Sequence, residues 1–96
     1  MDNKKLPYRL IDVEERAKLY SATFAIPVRS LREGLWPGNL VKLDFDNRER
    51  MWVKISGQYA TKNYFGILIS SPLHLGLRHG DPIEFGPEHI MEIWNK

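Results

Sequence analysis

Between residues 38 and 94, apolar and polar residues alternate in five short runs that turn-forming residues separate. The side chains of a β-strand point to opposite faces in turn, so this pattern predicts strands with one buried face. The predicted strands cover residues 40–46, 50–57, 64–70, 82–85 and 90–94. Residues 46–49 and 60–63 have the composition of tight turns, and residues 86–88 predict a 3₁₀ turn before the last strand.

The alternation also assigns a direction to each side chain. The residues predicted to face the core are Val41, Leu43, Phe45, Met51, Val53, Ile55, Phe65, Ile67 and Ile69. On this assignment Trp52 and Tyr64 point outward from neighbouring strands. Lys42, Asp44 and Asp46 share the solvent face of the first strand.

The first third of the chain predicts helix. Asp12 followed by Glu15 has the spacing of a capping box. Four residues at helical spacing then form one apolar stripe: Val13, Ala17, Tyr20 and Phe24. We expect a helix over residues 12–22, a second helical turn over 30–35 and a loose arm at 1–10.

Together these elements predict an α+β fold, in which an N-terminal helix packs on a small five-stranded antiparallel SH3-like β-barrel. Residues 1–96 are expected to form a single domain, with the arm at 1–10, the helical part at 12–35 and the barrel at 38–94. The alternative is a curved antiparallel sheet that the helix covers on one face. A separate alternative concerns the outer face, over which the Tyr20 and Phe24 stripe of the helix packs and buries the Trp52 ring.

Composition narrows the functions open to this chain. It has no cysteine, which excludes disulfides and thiolate chemistry. Its N-terminus lacks a signal-peptide pattern and its apolar runs are short, so we expect a cytoplasmic protein with no membrane partner. The 14 basic and 12 acidic residues are intermixed along the chain. This mixture is typical of an ordinary solvated surface rather than of a strong nucleic-acid binder.

Residues that carry catalytic or metal chemistry do not form a recognisable set. The spacing of His74, His79 and His89 does not bring them together around a metal ion. Ser71, His74 and Asp81 place a hydroxyl, an imidazole and a carboxylate near one loop, which keeps a hydrolase as a third hypothesis. No Gly-x-Ser-x-Gly elbow or phosphate-binding loop occurs. We therefore expect no enzyme activity, no metal and no cofactor.

Aromatic and leucine residues are the strongest candidates for a binding surface. The predicted partner-binding residues are Trp52, Tyr64, Leu73, Leu75, Lys54 and Lys62. Outward aromatic rings are enriched at binding hot spots, which favours recognition of an unknown protein partner, as in adaptors and immunity proteins. Alternatively, the leucines dock on the end of the barrel. The runner-up function is a nucleic-acid-binding barrel, in which bases stack on the two aromatic rings between the two lysines.

Short motifs in the strand region resemble a known family. They are Arg-Met-Trp-Val at residues 50–53, Gly-Ile-Leu at 66–68 and Gly-Asp-Pro-Ile-Glu-Phe at 80–85. Over residues 38–94 the chain resembles the YegJ-type small bacterial domain of unknown function. Ser-Pro-Leu at residues 71–73 replaces the Asn-(Asp/Glu)-Pro turn typical of that family, so no role of a turn acid is carried over. The resemblance implies a bacterial, cytoplasmic, cofactor-free domain, and it implies no catalytic residues.

Overall fold

The computed structural model describes residues 8–20, 25–73 and 76–94, and the elements below belong to these residues. Helices α1 (Val13–Leu19) and α2 (Arg29–Glu33) precede the strands. The strands are β1 (Leu40–Phe45), β2 (Glu49–Gln58), β3 (Tyr64–Leu68), β4 (Pro82–Phe85) and β5 (Glu92–Ile93), and the 3₁₀ turn η1 (Pro87–His89) precedes β5. The α+β class and the five strands are confirmed, although β3 and β5 are shorter than expected.

The strands form one antiparallel sheet in the order β4-β3-β2-β1-β5. β2 is shared between two neighbours, because residues 49–54 pair with β1 and residues 53–58 pair with β3. β4 and β5 lie at the two edges and do not pair with each other in the described residues. The sheet is therefore open.

One face of the sheet builds the hydrophobic core. Its fully buried side chains are Val41, Leu43, Phe45, Val53, Ile55, Tyr64, Leu68, Ile83 and Ile90. Met51 and Phe85 are buried beside them. The inward residues predicted for β1 and β2 are confirmed, because each of these strands alternates apolar and polar side chains.

The inward face of β3 is the opposite of the predicted one. Its buried residues are Tyr64, Gly66 and Leu68, whereas Phe65 and Ile67 are 36% and 40% exposed, and Ile69 is half-buried beyond the strand. β3 is apolar on both faces, so alternation alone does not determine its direction. Gly66 does, because a Cβ there would collide with the backbone oxygen of Lys54. Only glycine fits this inward position, and Phe65 and Ile67 consequently take the outer face.

Helix α1 begins as predicted and packs differently. The Asp12 side chain accepts a 3.0 Å hydrogen bond from the Glu15 backbone N–H and so caps the helix. Val13 is fully buried, but Tyr20 is 59% exposed and Phe24 lies outside the described residues. Both α1 and α2 pack mainly against η1. Across residues 8–20, 25–73 and 76–94, no helix has the length and apolar character needed to cross a membrane.

The predicted loose arm is wrong for residues 8–10. Tyr8 is buried and its ring lies 5.1 Å from that of Phe45. The Ile11 N–H donates to the Asp44 backbone oxygen, and the Asp46 N–H donates to the Arg9 oxygen. This segment therefore runs beside β1, while residues 1–7 lie outside the described residues.

A buried arginine joins both helices to η1. Arg32 is only 4% exposed, and its Nε donates 2.7 Å to the Pro27 oxygen. Its Nη1 donates 2.8 Å to the Pro87 oxygen and 2.7 Å to Glu14 Oε2. Arg29, on the exposed side, also donates 2.6 Å to Glu14. The hydrogen bond from Arg32 lowers the pKa of the Glu14 carboxyl.

Asp44 is buried although it was predicted on the solvent face of β1. Its side chain is 1% exposed, and Arg16 from α1 donates 3.0 Å to Oδ2. Arg50 Nε lies 3.8 Å from the same oxygen. α1 thus covers part of a face that strand alternation alone would leave open to solvent.

His89 makes the stability of this helical layer dependent on pH. Its Nδ1 accepts a 2.9 Å hydrogen bond from the Gly86 N–H, which requires the neutral ring. Burial lowers the pKa of His89, although the nearby Glu88, Asp12 and Glu14 carboxylates oppose this shift. A lowered folded pKa means that the neutral ring stabilises the fold above the unfolded value of about 6.5. This stability is lost as the pH falls through the folded pKa.

We therefore expect the free energy of unfolding to decrease as the pH falls from 7 to 5, as measured by urea denaturation. The His89→Asn variant keeps an acceptor near Nδ1 and does not titrate, so its stability should change less over this range. Glu14 has a lowered pKa, so it contributes to the pH dependence of the free energy of unfolding only at more acidic pH. An equal pH dependence in the wild type and the variant would contradict this assignment.

Candidate functional site

The outer face of β2 and β3 exposes apolar side chains at the centre of the sheet. We call Trp52, Lys54, Tyr59, Phe65 and Ile67 the outer strip. Ile67 lies opposite Lys54 of β2 on one side and opposite Pro82 of β4 on the other. Apolar side chains in this position are unusual, because the solvent face of an antiparallel sheet is normally polar.

Trp52 points outward, as predicted, and is half-buried. Lys42 Nζ lies 5.0 Å from the centroid of the Trp52 ring, within the range of a cation–π interaction. Lys42 also forms a 3.1 Å ion pair with Glu92 of β5. The alternative arrangement, with the indole under Tyr20, is not seen, since Tyr20 is itself 59% exposed.

Tyr64 was predicted to be an exposed binding residue, and this is wrong. It is fully buried, and its ring stacks on that of Phe85 at 5.5 Å. Its hydroxyl donates 2.7 Å to the Arg32 backbone oxygen and accepts 3.2 Å from the Leu35 N–H. Burial raises the pKa of this hydroxyl. Tyr64 therefore anchors the end of α2 to the core.

Phe65 takes the outward place that was assigned to Tyr64. Its ring lies across Gly57, where a Cβ would collide with it, and contacts the Tyr59 ring at 4.8 Å. The Tyr59 hydroxyl donates a 2.9 Å hydrogen bond to Oε2 of Glu84 in β4, the strand beside β3. A glycine in one strand beside an aromatic residue in the next is the sequence signal that could have identified this pair.

Of the other four residues predicted to bind a partner, three lie in the described part of the structure. Lys54 and Lys62 are exposed, Lys54 in β2 and Lys62 in the turn after it. Leu73 is 82% exposed, and its N–H donates 2.9 Å to Glu49 Oε2. Leu75 lies outside the described residues. Leu77 docks into the core, so the leucines of this loop do not form one exposed surface.

Sequence patterns did not reveal a groove between α2 and β5. We call it the α2 groove; it consists of two hollows that share Gly34 and Leu35. One, of about 270 Å³, is lined by Pro27, Ser30, Leu31, Gly34, Leu35, Asn39, Ile93 and Trp94. The other, of about 290 Å³, is lined by Gly34, Leu35, Trp36, Pro37 and Gln58. Trp36 and Trp94 are 75% and 48% exposed.

Within the part of the chain that the structure describes, the catalytic and metal candidates are not brought into a site. Within the described ranges, no three His, Asp or Glu side chains form a group that could hold a metal ion. His74 lies outside those ranges, His79 is exposed and His89 belongs to η1. Asp81, considered for the hydrolase hypothesis, accepts 2.8 Å from the Arg78 N–H and so closes a turn.

A hollow of about 580 Å³ forms an open depression beside α1. Its polar lining includes Asp12, Glu15 and Arg16. Asp12 is occupied as the helix cap, and Arg16 is occupied by Asp44. The outer strip and the α2 groove are therefore the better candidates for a binding site.

Comparison of the chain with protein-family models, curated proteins and solved structures finds no match, so the resemblance to the YegJ-type domain stays a prediction.

Proposed function

We propose that this chain is a non-enzymatic, cytoplasmic bacterial domain that recognises another protein through the outer strip. The observation that carries this proposal is the exposure of Phe65 and Ile67 on β3, an internal strand of the sheet. A contiguous apolar surface at such a position favours a protein partner, because burying it removes apolar area from water.

We also infer that the sheet curls into an SH3-like barrel. The sharing of β2 between β1 and β3 supports this, because one strand then belongs to both halves of the fold. The register shift between Ile55 and Gly57 is a bulge of the kind that bends a strand. The position of η1 between β4 and β5 agrees with the same architecture.

The charges around the outer strip indicate the chemistry of the partner. Lys54 and Lys62 form no ion pair among the described residues, whereas Lys42 is neutralised by Glu92. A complementary partner surface has an apolar centre and carboxylates at its rim. Such a surface uses the two free lysines for orientation and the apolar side chains for affinity.

A protein fits the outer strip better than a nucleic acid does. Glu84 lies opposite Phe65 and its carboxylate accepts from Tyr59, so a negative charge sits beside both rings. Single strands need stacking rings flanked by cations, and this carboxylate repels their phosphates. The burial of Tyr64 removes one of the two expected stacking rings.

The test is affinity capture of a bacterial partner, followed by titration of that partner with purified variants. We expect Ile67→Ser to weaken binding about 30-fold, the effect of losing about 2 kcal/mol at a hot spot. Lys54→Glu should slow association, because it reverses the charge that attracts an acidic rim. Leu19→Ser is the control, since Leu19 is 68% exposed and lies on α1.

Two results would contradict the proposal. One is a partner that binds the Ile67→Ser and Lys54→Glu variants as tightly as the wild type, with all proteins equally stable to urea. The other is capture that nuclease treatment abolishes and that falls steeply with salt, which would favour the nucleic-acid hypothesis.

A further inference from the structure

The walls of the α2 groove are apolar and open to solvent. Leu31 of α2 is 59% exposed, and Trp94, just past β5, is 48% exposed. Leu35 lines both their hollow and the second one, where Trp36 is 75% exposed. Three large side chains thus expose apolar surface around one concave site, which is typical of a site that a partner covers.

Among the residues that the structure describes, none that lines either hollow carries a charge. The polar groups are the Ser30 hydroxyl and the Asn39 amide in one hollow and the Gln58 amide in the other. Arg29 and Glu33, two charged residues of α2, bond to each other at 2.7 Å. A charged ligand group would lose its hydration here without gaining a partner, so the groove selects for uncharged chemistry.

Hydrogen bonds within the protein hold the groove in shape. The Tyr64 hydroxyl accepts from the N–H of Leu35, which lines both hollows. Asn39 Oδ1 accepts 2.7 Å from the Trp36 N–H, and Gln58 Nε2 donates 3.2 Å to the Glu33 oxygen. A site that is already ordered costs little conformational entropy on binding.

The size of the hollows identifies the form of the occupant. At about 270 and 290 Å³, each lies just below the roughly 300–1,000 Å³ typical of sites for small molecules and cofactors. Two such hollows that share Leu35 suit two alternate side chains of an extended chain, since residues i and i+2 point to the same side. The groove also borders β5, an edge strand that pairs only with β1 among the described residues, and such edges accept extended peptides.

We propose that the α2 groove binds an extended, uncharged apolar segment of a partner protein, with one side chain on each side of Leu35. The indole N–H groups of Trp36 and Trp94, both exposed residues, and the Asn39 amide then donate to backbone carbonyls of the segment. This site is separate from the outer strip, and the proposal does not depend on that surface.

The test uses a displayed library of random 12-residue peptides and the ¹⁵N-labelled full chain. We expect the selected peptides to share two apolar positions within an uncharged stretch. On titration of a synthetic selected peptide, the indole N–H signals of Trp36 and Trp94 should shift while that of Trp52 stays in place. Each signal is assigned from its Trp→Phe variant.

Matched variants separate this site from the outer strip. Leu31→Glu, which puts a charge into the uncharged groove, should weaken peptide binding at least about tenfold. Leu19→Glu makes the same change at another exposed helical leucine, and Ile67→Ser alters the outer strip. Both should bind the peptide like the wild type, so failure of the outer strip leaves this result intact.

The proposal is overturned by selection of charged peptides, by a shift of the Trp52 signal alone, or by equal binding to the Leu31→Glu variant. It is also overturned if a protein that unfolds cooperatively selects no peptide from the library.

Discussion

Replacing Arg32 with leucine lowers the free energy of unfolding by about 3 kcal/mol, the lower end of the range for breaking a buried ion pair. The guanidinium is buried, and its removal leaves the Pro27 and Pro87 oxygens without their donor. It also leaves Glu14, 24% exposed, facing an apolar side chain. Because these acceptors belong to α1, η1 and the segment before α2, the variant loosens the whole helical layer. Urea denaturation followed by circular dichroism measures the change.

Arg29→Leu is the matched control. Arg29 bonds the same Glu14 carboxylate, but its side chain is 57% exposed and water can replace it. We expect only a small change in the urea midpoint for this variant. In addition, Glu14→Leu combined with Arg32→Leu should be more stable than Arg32→Leu alone, because it removes a carboxylate that has lost its buried partner and keeps only the exposed Arg29. Equal effects of Arg29→Leu and Arg32→Leu would contradict this account of the network.

Local patterns predicted the elements whose stabilising contacts are close in sequence. Asp12 caps α1 through Glu15, three residues later, and alternation identifies the inward residues of β1 and β2. Arg32 could not be identified as buried in this way. Its acceptors, at positions 14, 27 and 87, meet only after the helices pack on η1.

The candidate binding surfaces were likewise predicted only where the deciding pattern is local in sequence. Trp52 and Lys54 were placed on the outer face correctly, because β2 has one clearly apolar side. β3 has two apolar sides, so the faces to which Tyr64 and Phe65 point depend on the contact of Gly66 with β2. The α2 groove was missed since Ile93 and Trp94 reach the residues of α2 only when β5 pairs with β1.

Tyr64 connects the core to the α2 groove in a way that its sequence position does not suggest. Its ring packs among core side chains, while its hydroxyl holds the backbone of Arg32 and Leu35. Tyr64 was predicted to be an exposed aromatic residue, but it is a core residue that supports the groove through its hydroxyl. Variants of Tyr64 would change stability and groove shape together, so Leu31 and Ile67 are the cleaner positions for binding tests.

Gly66→Ala is the second change with a large expected effect, about 3 kcal/mol or more in the free energy of unfolding. The new Cβ would meet the Lys54 backbone oxygen and lie 3.1 Å from Val53 Cγ1. The backbone of a paired strand cannot move away from the new Cβ as a flexible side chain can. Relief requires β2 and β3 to separate, and this breaks the centre of the sheet. Urea denaturation and the amount of soluble protein both report this loss.

Two further glycines give a graded control series. At Gly76 a Cβ meets nothing within 4 Å, so Gly76→Ala should leave stability unchanged or slightly increased. At Gly57 it meets the end of the Phe65 ring, a side chain that can rotate away, so Gly57→Ala should have an intermediate effect and disturb the outer strip. If Gly66→Ala is no more harmful than Gly57→Ala, the close approach of β2 and β3 does not determine which face of β3 is buried. The outward position of Phe65 and Ile67 would then need another cause.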